Sequence, residues 1–263
     1  MDLIQTVILG LIQGLTEWLP ISSTGHLRAA ERLVALQAPI LFDGLLHVGT
    51  LIVTLLFFRK DIKNILVALG KRDFKTENGK LIPLIIVGTV PTILLGVVFG
   101  NAIEALFSNL LPIATAFIIC GVVLYTSKIG NERRESISYL EAVAIGTAQG
   151  IAIIPGMSRS GLTIAAALLL GIKREKAFQF SFLLSVPAIL GALGLTLYEQ
   201  HEALALAGIE WTEIFVGVAV SMVVGYFAVS LLRKIIAHKK FYFFAFYCWL
   251  ISIVLIALSL SGF

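Results

Sequence analysis

The sequence predicts an all-α membrane protein: an inverted repeat with six transmembrane helices and two opposed re-entrant helix-loop-helix hairpins. Three observations predict it: long apolar runs with little charge, a one-sided distribution of Lys and Arg, and a Ser/Gly-rich interruption that occurs twice at matching places. Apolar residues make up 58% of the 263 and charged residues 14%, with a mean hydropathy of +0.97. A soluble domain needs more polar surface than this, so the balance points to lipid as the solvent.

Taken in order, residues 3–19 form an apolar helix carrying Gln13 and Glu17, and Pro20 ends it. The interruption 20–24 leads into a short helix over 25–36. Apolar runs follow at 41–58, 81–98 and 110–125. A second short pair, 139–154 and 161–172, flanks Pro155-Gly156, and three more runs cover 177–198, 211–232 and 241–260. Each of the six long runs is near the roughly 17–25 residues that cross a ~30 Å hydrocarbon core. The paired segments are too short: 139–154 rises ~24 Å and 161–172 ~18 Å at 1.5 Å per residue. Together they are too long for one span. Each pair is therefore read as a hairpin that enters and leaves on one side, its loop at membrane depth, where exposed backbone needs a protein or polar surround.

A shift of 136 residues brings Gly10, Gln13 and Gly14 onto Gly146, Gln149 and Gly150, and Ser22 and Gly25 onto Ser158 and Gly161. The same shift matches Ala29, Ala30 and Phe42 to Ala165, Ala166 and Phe178. The chain is thus expected to be a single integral membrane domain over 1–263, with repeats at about 1–126 and 127–263. Lys and Arg concentrate in the connections 59–80, 128–134, 173–176 and 233–240, while 101–109 and 199–210 have none. By the positive-inside rule the basic connections are cytoplasmic. The first hairpin then dips from the outside and the second from the inside, a plan that places a site at the midplane between the halves. This placement of the +4 formal charge also argues against a nucleic-acid partner. Cys120 and Cys248 lie in apolar segments and read as small buried hydrophobes, not as a disulfide or a metal site. The first helix lacks a basic leader and carries Glu17, so it is read as part of the mature protein.

The chemistry sits at the two loops. The first reads Gln13-Gly-Leu-Thr-Glu17-Trp-Leu-Pro20-Ile-Ser22-Ser23-Thr24-Gly25-His26, with Gln13 and Glu17 on one helical face. The second reads Pro155-Gly-Met-Ser158-Arg159-Ser160-Gly161-Leu-Thr163. A carboxylate or Arg at the bilayer centre costs about 2.5–3.5 kcal/mol, and a mutual salt bridge between Glu17 and Arg159 is the plain way to offset it. That alone does not account for the crowd of hydroxyls, nor for a helix beginning directly after each loop. Helix N-termini favour anions, and an Arg fork holds two phosphate oxygens. Arg159, the two helix starts and the hydroxyls of Ser22, Ser23, Thr24, Ser158, Ser160 and Thr163 together read as a phosphate site. Glu17, supported by Gln13, would hold a divalent cation or act as a base. Ser23 or Ser22, near His26, offers a nucleophile and base. Thr50, Thr89 and Thr126 are assigned to carbonyls of their own helices, and His47 to packing. Asp43 lies near the outer mouth with its role open.

At these motifs the sequence resembles the undecaprenyl-diphosphatase family, the membrane phosphatases first known for bacitracin resistance, over essentially the whole chain. The resemblance implies removal of the terminal phosphate from undecaprenyl diphosphate, which recycles the lipid carrier for cell-wall synthesis. It implies Glu17, with Gln13, as the acidic metal or base position, and Ser22, Ser23, Thr24 and His26 as the hydroxyl–histidine stretch. Ser158, Arg159 and Ser160 match the phosphate-binding loop. Mg²⁺ or Ca²⁺ as cofactor, a multi-pass place in the plasma membrane and a site open to the outer face are implied with it, and a homodimer is a further expectation. The family's first acidic position is Gln13 here; the pattern allows either residue, but with Gln13 the metal site lacks a second carboxylate. The implied mechanism is in-line attack by Ser23 with His26 as base, or by His26 itself, with Arg159 and a Glu17-held cation stabilising the charge. The rival from another class is a polyprenyl-phosphate flippase or anion transporter using the same midplane site. An intramembrane protease built on Ser158 lacks a membrane-depth His on any later helix. Type-2 phosphatidic acid phosphatases share a Ser-Gly-His-like string with Ser23–His26 but not the rest of the pattern.

Overall fold

The computed structural model describes residues 2–33, 40–106, 109–206 and 210–261. Among them the helices are α1 (Leu3–Trp18), α2 (Ser23–Leu33), α3 (Ile40–Phe57), α4 (Arg59–Gly70), α5 (Glu77–Leu106), α6 (Leu110–Thr126), α7 (Tyr139–Ile151), α8 (Arg159–Leu169), α9 (Arg174–Leu206), α10 (Trp211–Ala237) and α11 (Phe244–Leu260). The described residues contain no strand, only an isolated bridge between Arg134 and Ile172. Five helices, α5, α6, α9, α10 and α11, are long and apolar enough to cross a membrane. A sixth is added if α3 and α4, bent by 76° at their junction, count as one span. Leu140, Val97 and Phe215 are each at least 70% exposed, as lipid-facing side chains would be. The chain is a multi-pass helical membrane protein.

Local chemistry sets the short elements. Asp2 caps α1 by accepting from the Gln5 amide at 2.7 Å, and the Gln5 side chain accepts from the Asp2 amide at 2.9 Å. Ser138 and Glu141 repeat this capping box on α7. Pro20 stops α1, and the turn at Pro155-Gly156 separates α7 from α8. At 16, 11, 13 and 11 residues, α1, α2, α7 and α8 rise ~24, ~17, ~20 and ~17 Å, and none reaches across a ~30 Å core. Residues 34–36 of the second expected helix, and 107–108 and 207–209 in the two connections without Lys or Arg, lie outside the described residues.

The halves pack reciprocally. α1 lies along α10 and α7 along α5, while α3 meets α9 and α6 meets α11. Glycines set how closely the first two pairs cross. A Cβ on Gly14 would come within 2.6 Å of the Ser221 carbonyl oxygen, and one on Gly146 would overlap the Gly88 carbonyl. Thr92 Oγ1 then donates to the Gly146 carbonyl at 2.9 Å, across the α5–α7 contact. Gly146→Ala must push two backbones apart and is expected to cost about 1–3 kcal/mol, the range for overpacking. Gly191→Ala in α9 meets nothing within 4 Å and should not destabilise. Thermal unfolding of both variants in detergent checks this.

Candidate active site

The two interruptions meet. In the first loop Ser22 takes φ +65°, a left-handed conformation rare outside glycine. Its Oγ accepts from the Gly25 amide at 3.3 Å and from the Gly156 amide of the second loop at 3.0 Å. Gly156 has φ +97°, and a Cβ there would sit 2.6 Å from the Ile113 carbonyl oxygen. From the other side, Ser160 Oγ donates to the Trp18 carbonyl at 3.1 Å. These bonds place the start of α8 against the end of α1.

Glu17 sits at that junction, buried, with donors on both oxygens. Arg159 Nη2 donates to Oε1 at 2.7 Å. Ser23 Oγ donates to Oε2 at 2.6 Å, and Gln13 Nε2 to the same oxygen at 3.3 Å. His47 Nε2 lies 3.4 Å from it. The Arg159 guanidinium carbon is 5.5 Å from the Trp18 ring centroid, and its Nη1 is buried without a hydrogen-bond partner. Trp18 in turn stacks on Phe182 at 5.0 Å. One carboxylate thus joins a hydroxyl from the first loop to a guanidinium from the second. The first-turn amides of α8 at Arg159 and Ser160 lack intrahelical acceptors, as at any helix start.

The hydroxyls divide. Ser23 alone reaches Glu17. Ser22 ties the loops together. Ser158 caps α8, its Oγ accepting from the Gly161 amide at 3.0 Å and lying 3.2 Å from Ser160 Oγ. Thr163 Oγ1 donates to the Arg159 carbonyl at 2.8 Å and lies 2.5 Å from Ser181 Oγ. Thr24 is exposed and outside the cluster. The expected pairing of Ser23 with His26 is not what the structure shows. His26 Nδ1 lies 2.8 Å from the Ser22 carbonyl oxygen and Nε2 2.8 Å from the Tyr247 hydroxyl. Three residues along a helix put two Cα atoms on one face, but here the carboxylate draws the hydroxyl and the tyrosine draws the ring.

The family model described as Bacitracin resistance protein BacA matches residues 6–254. The chain belongs to the BacA family. A protein named undecaprenyl-diphosphatase from Carboxydothermus hydrogenoformans is 43% identical, covering 100% of this chain and 99% of that one. One of the same name from Halothermothrix orenii is 40% identical over 98% and 99% of the two chains. One from Methanosphaera stadtmanae is 37% identical, again over 98% and 99%.

Two residues in contact with this cluster escaped the sequence reading. His47, assigned to packing, faces the central carboxylate, and its Nδ1 donates to the Asp43 carbonyl at 2.8 Å. An ionisable residue inside an apolar helix was the available signal. Tyr247 gave none, since tyrosine is common in membrane helices near the interface. Beyond His47, Asp43 and Glu31 are both buried, and Arg28 pairs with Glu31 at 3.3 Å. Cys120 and Cys248 are free and buried, as expected. Thr50, Thr89 and Thr126 donate to carbonyls of their own helix.

The divalent cation implied for the family does not fit this donor set. Glu17 is the one carboxylate in the cluster, both its oxygens face hydrogen donors, and one of those donors is a guanidinium. Gln13 Oε1 is the only cluster oxygen buried without a partner. Mg²⁺ or Ca²⁺ takes six or more oxygens, and among the described residues no group of three His, Cys, Asp or Glu could supply them.

Proposed function

We infer that this chain is an undecaprenyl-diphosphatase, cleaving the lipid diphosphate to the monophosphate and inorganic phosphate. The observation that carries the reading is the Glu17 carboxylate holding Ser23 Oγ at 2.6 Å and Arg159 Nη2 at 2.7 Å together, from opposite loops. A nucleophile, its base and a phosphate-binding cation then share one point. The name printed for the full-length relatives gives the substrate.

The residues assign the steps. Arg159 turns to the terminal phosphate, adding its unpartnered Nη1, and the first amides of α8 take further oxygens. Glu17, without its counter-ion, takes the Ser23 proton as Oγ bonds the terminal phosphorus. The bond to the bridging oxygen breaks, and the monophosphate dianion leaves. Water then attacks the phosphoserine, giving one proton to His26, while Ser23 Oγ leaves phosphorus and recovers its proton from Glu17. Charge on the equatorial oxygens is held by the fixed donors throughout.

The inverted-repeat plan is supported by the reciprocal packing of α1 on α10 and α7 on α5, helices that correspond across the two halves. The legs too short to cross support two hairpins, and the chain is read as one domain with repeats at about 1–126 and 127–263. With the basic connections in the cytoplasm, α1 and α2 enter from outside, and the site opens to the outer face of the plasma membrane. The test is phosphate release from undecaprenyl diphosphate by the purified chain. Ser23→Ala should fall to background, whereas Ser22→Ala, which loses a loop contact, should retain measurable turnover. Near-native release by Ser23→Ala would remove the nucleophile from this reading. A chelator arm reports whether a cation enters with the diphosphate.

A further inference from the structure

His26 is held by a group that the reaction as described does not use. Its Nδ1 faces the Ser22 carbonyl oxygen at 2.8 Å, and a carbonyl only accepts, so Nδ1 carries a hydrogen. In the neutral ring Nε2 is then the lone pair, and the Tyr247 hydroxyl, 2.8 Å away, donates to it. The two rings are nearly parallel, with centroids 5.6 Å apart and 18° between planes. Phe117 meets the imidazole edge-on at 5.4 Å. Tautomer, ring plane and lone-pair direction are thus all fixed. Tyr247 lies on α11, 221 residues from His26 in sequence, and is 38% exposed. The hydrogen bond between the hydroxyl and Nε2 lies at an exposed edge of the molecule.

We propose that Tyr247 is a positioning residue for His26, its hydroxyl aiming the Nε2 lone pair that receives the proton of the attacking water. The proposal rests on the phosphoserine reading above, in which a second base is needed once Glu17 has taken the Ser23 proton. When water enters, it replaces the tyrosine hydroxyl as the donor to Nε2. Its oxygen bonds phosphorus while its proton passes to the imidazole. The tyrosine supplies orientation and no atoms.

Tyr247→Phe keeps the stacked ring and removes only the hydroxyl. In the purified full chain with undecaprenyl diphosphate it should lower kcat about tenfold, a fraction of the 10²–10⁴ a positioned base contributes. KM should stay within about twofold, and thermal unfolding in detergent should be unchanged. His26→Gln should lose about a hundredfold or more, and His26→Gln with Tyr247→Phe should lose no more than His26→Gln alone. A native kcat in Tyr247→Phe, or losses that multiply in the double variant, would overturn the positioning role. The outcomes separate from those of the underlying reading: an active Ser23→Ala sinks the phosphoserine route, whereas an inactive Ser23→Ala beside a silent Tyr247→Phe sinks only this proposal.

Discussion

Glu17→Gln should reduce phosphate release by roughly 10³–10⁴-fold per folded molecule, at the upper end of what a positioned base contributes. The amide keeps the size of the side chain and one acceptor for Ser23 Oγ, so the hydroxyl can remain in place. What disappears is the group able to take its proton. The substitution also removes the negative charge between Arg159 and His47. Leaving a buried cation unpaired typically costs 3–5 kcal/mol, and with Arg159 only 15% exposed at the side chain the lower part of that range applies. Activity must therefore be normalised to the monodisperse fraction from size-exclusion chromatography. Glu17→Asp separates charge from reach: one methylene shorter, it cannot span Ser23 and Arg159 together and should fall between native and Glu17→Gln. A Glu17→Gln enzyme turning over within tenfold of native would mean that the carboxylate only holds the loops together.

The helical layout was readable because a bilayer imposes length. Six apolar runs near the crossing length gave six helices, α3, α5, α6, α9, α10 and α11, and Pro20 and Pro155 marked the places where short ones end. The coming together of Glu17 and Arg159 was also readable, since two ionisable groups at depth need each other more than they need any neighbour. The direction of side chains was not. Ser158, Ser160 and Thr163 looked like substrate ligands by type, yet their hydroxyls are spent on a cap, on the Trp18 carbonyl and on the Arg159 carbonyl, the local bonding that competes for every Ser and Thr. His26 lay three residues from Ser23 and looked like its base, but which atom a ring faces depends on α11, more than two hundred residues away. His47 reaches Glu17 from a third helix. No spacing in the sequence records that contact, only the oddity of an imidazole among leucines.

Arg159→Lys is expected to lower kcat/KM by at least 10²-fold, and Arg159→Ala by about 10³–10⁵-fold, the range over which a transition-state arginine acts. The lysine variant is the more informative of the two. If Arg159 serves only to neutralise Glu17, one ammonium at the Nη2 position does the same work and activity should survive. The second guanidinium nitrogen argues otherwise. Nη1 is buried and has no partner, although a buried donor left unpaired is costly. The ion pair with Glu17 leaves that donor unused. A phosphate oxygen is the acceptor that both nitrogens fit in parallel, and an ammonium cannot reproduce that fork. Measuring KM with kcat refines the point: loss of ground-state binding raises KM alone, whereas loss of a contact made in the transition state lowers kcat. Arg159→Lys should do mostly the latter, because Glu17 and Arg159 bind each other until the terminal phosphate parts them. Retention of native kcat/KM by Arg159→Lys would reduce the guanidinium to a loop fastener and leave the phosphate without its principal ligand.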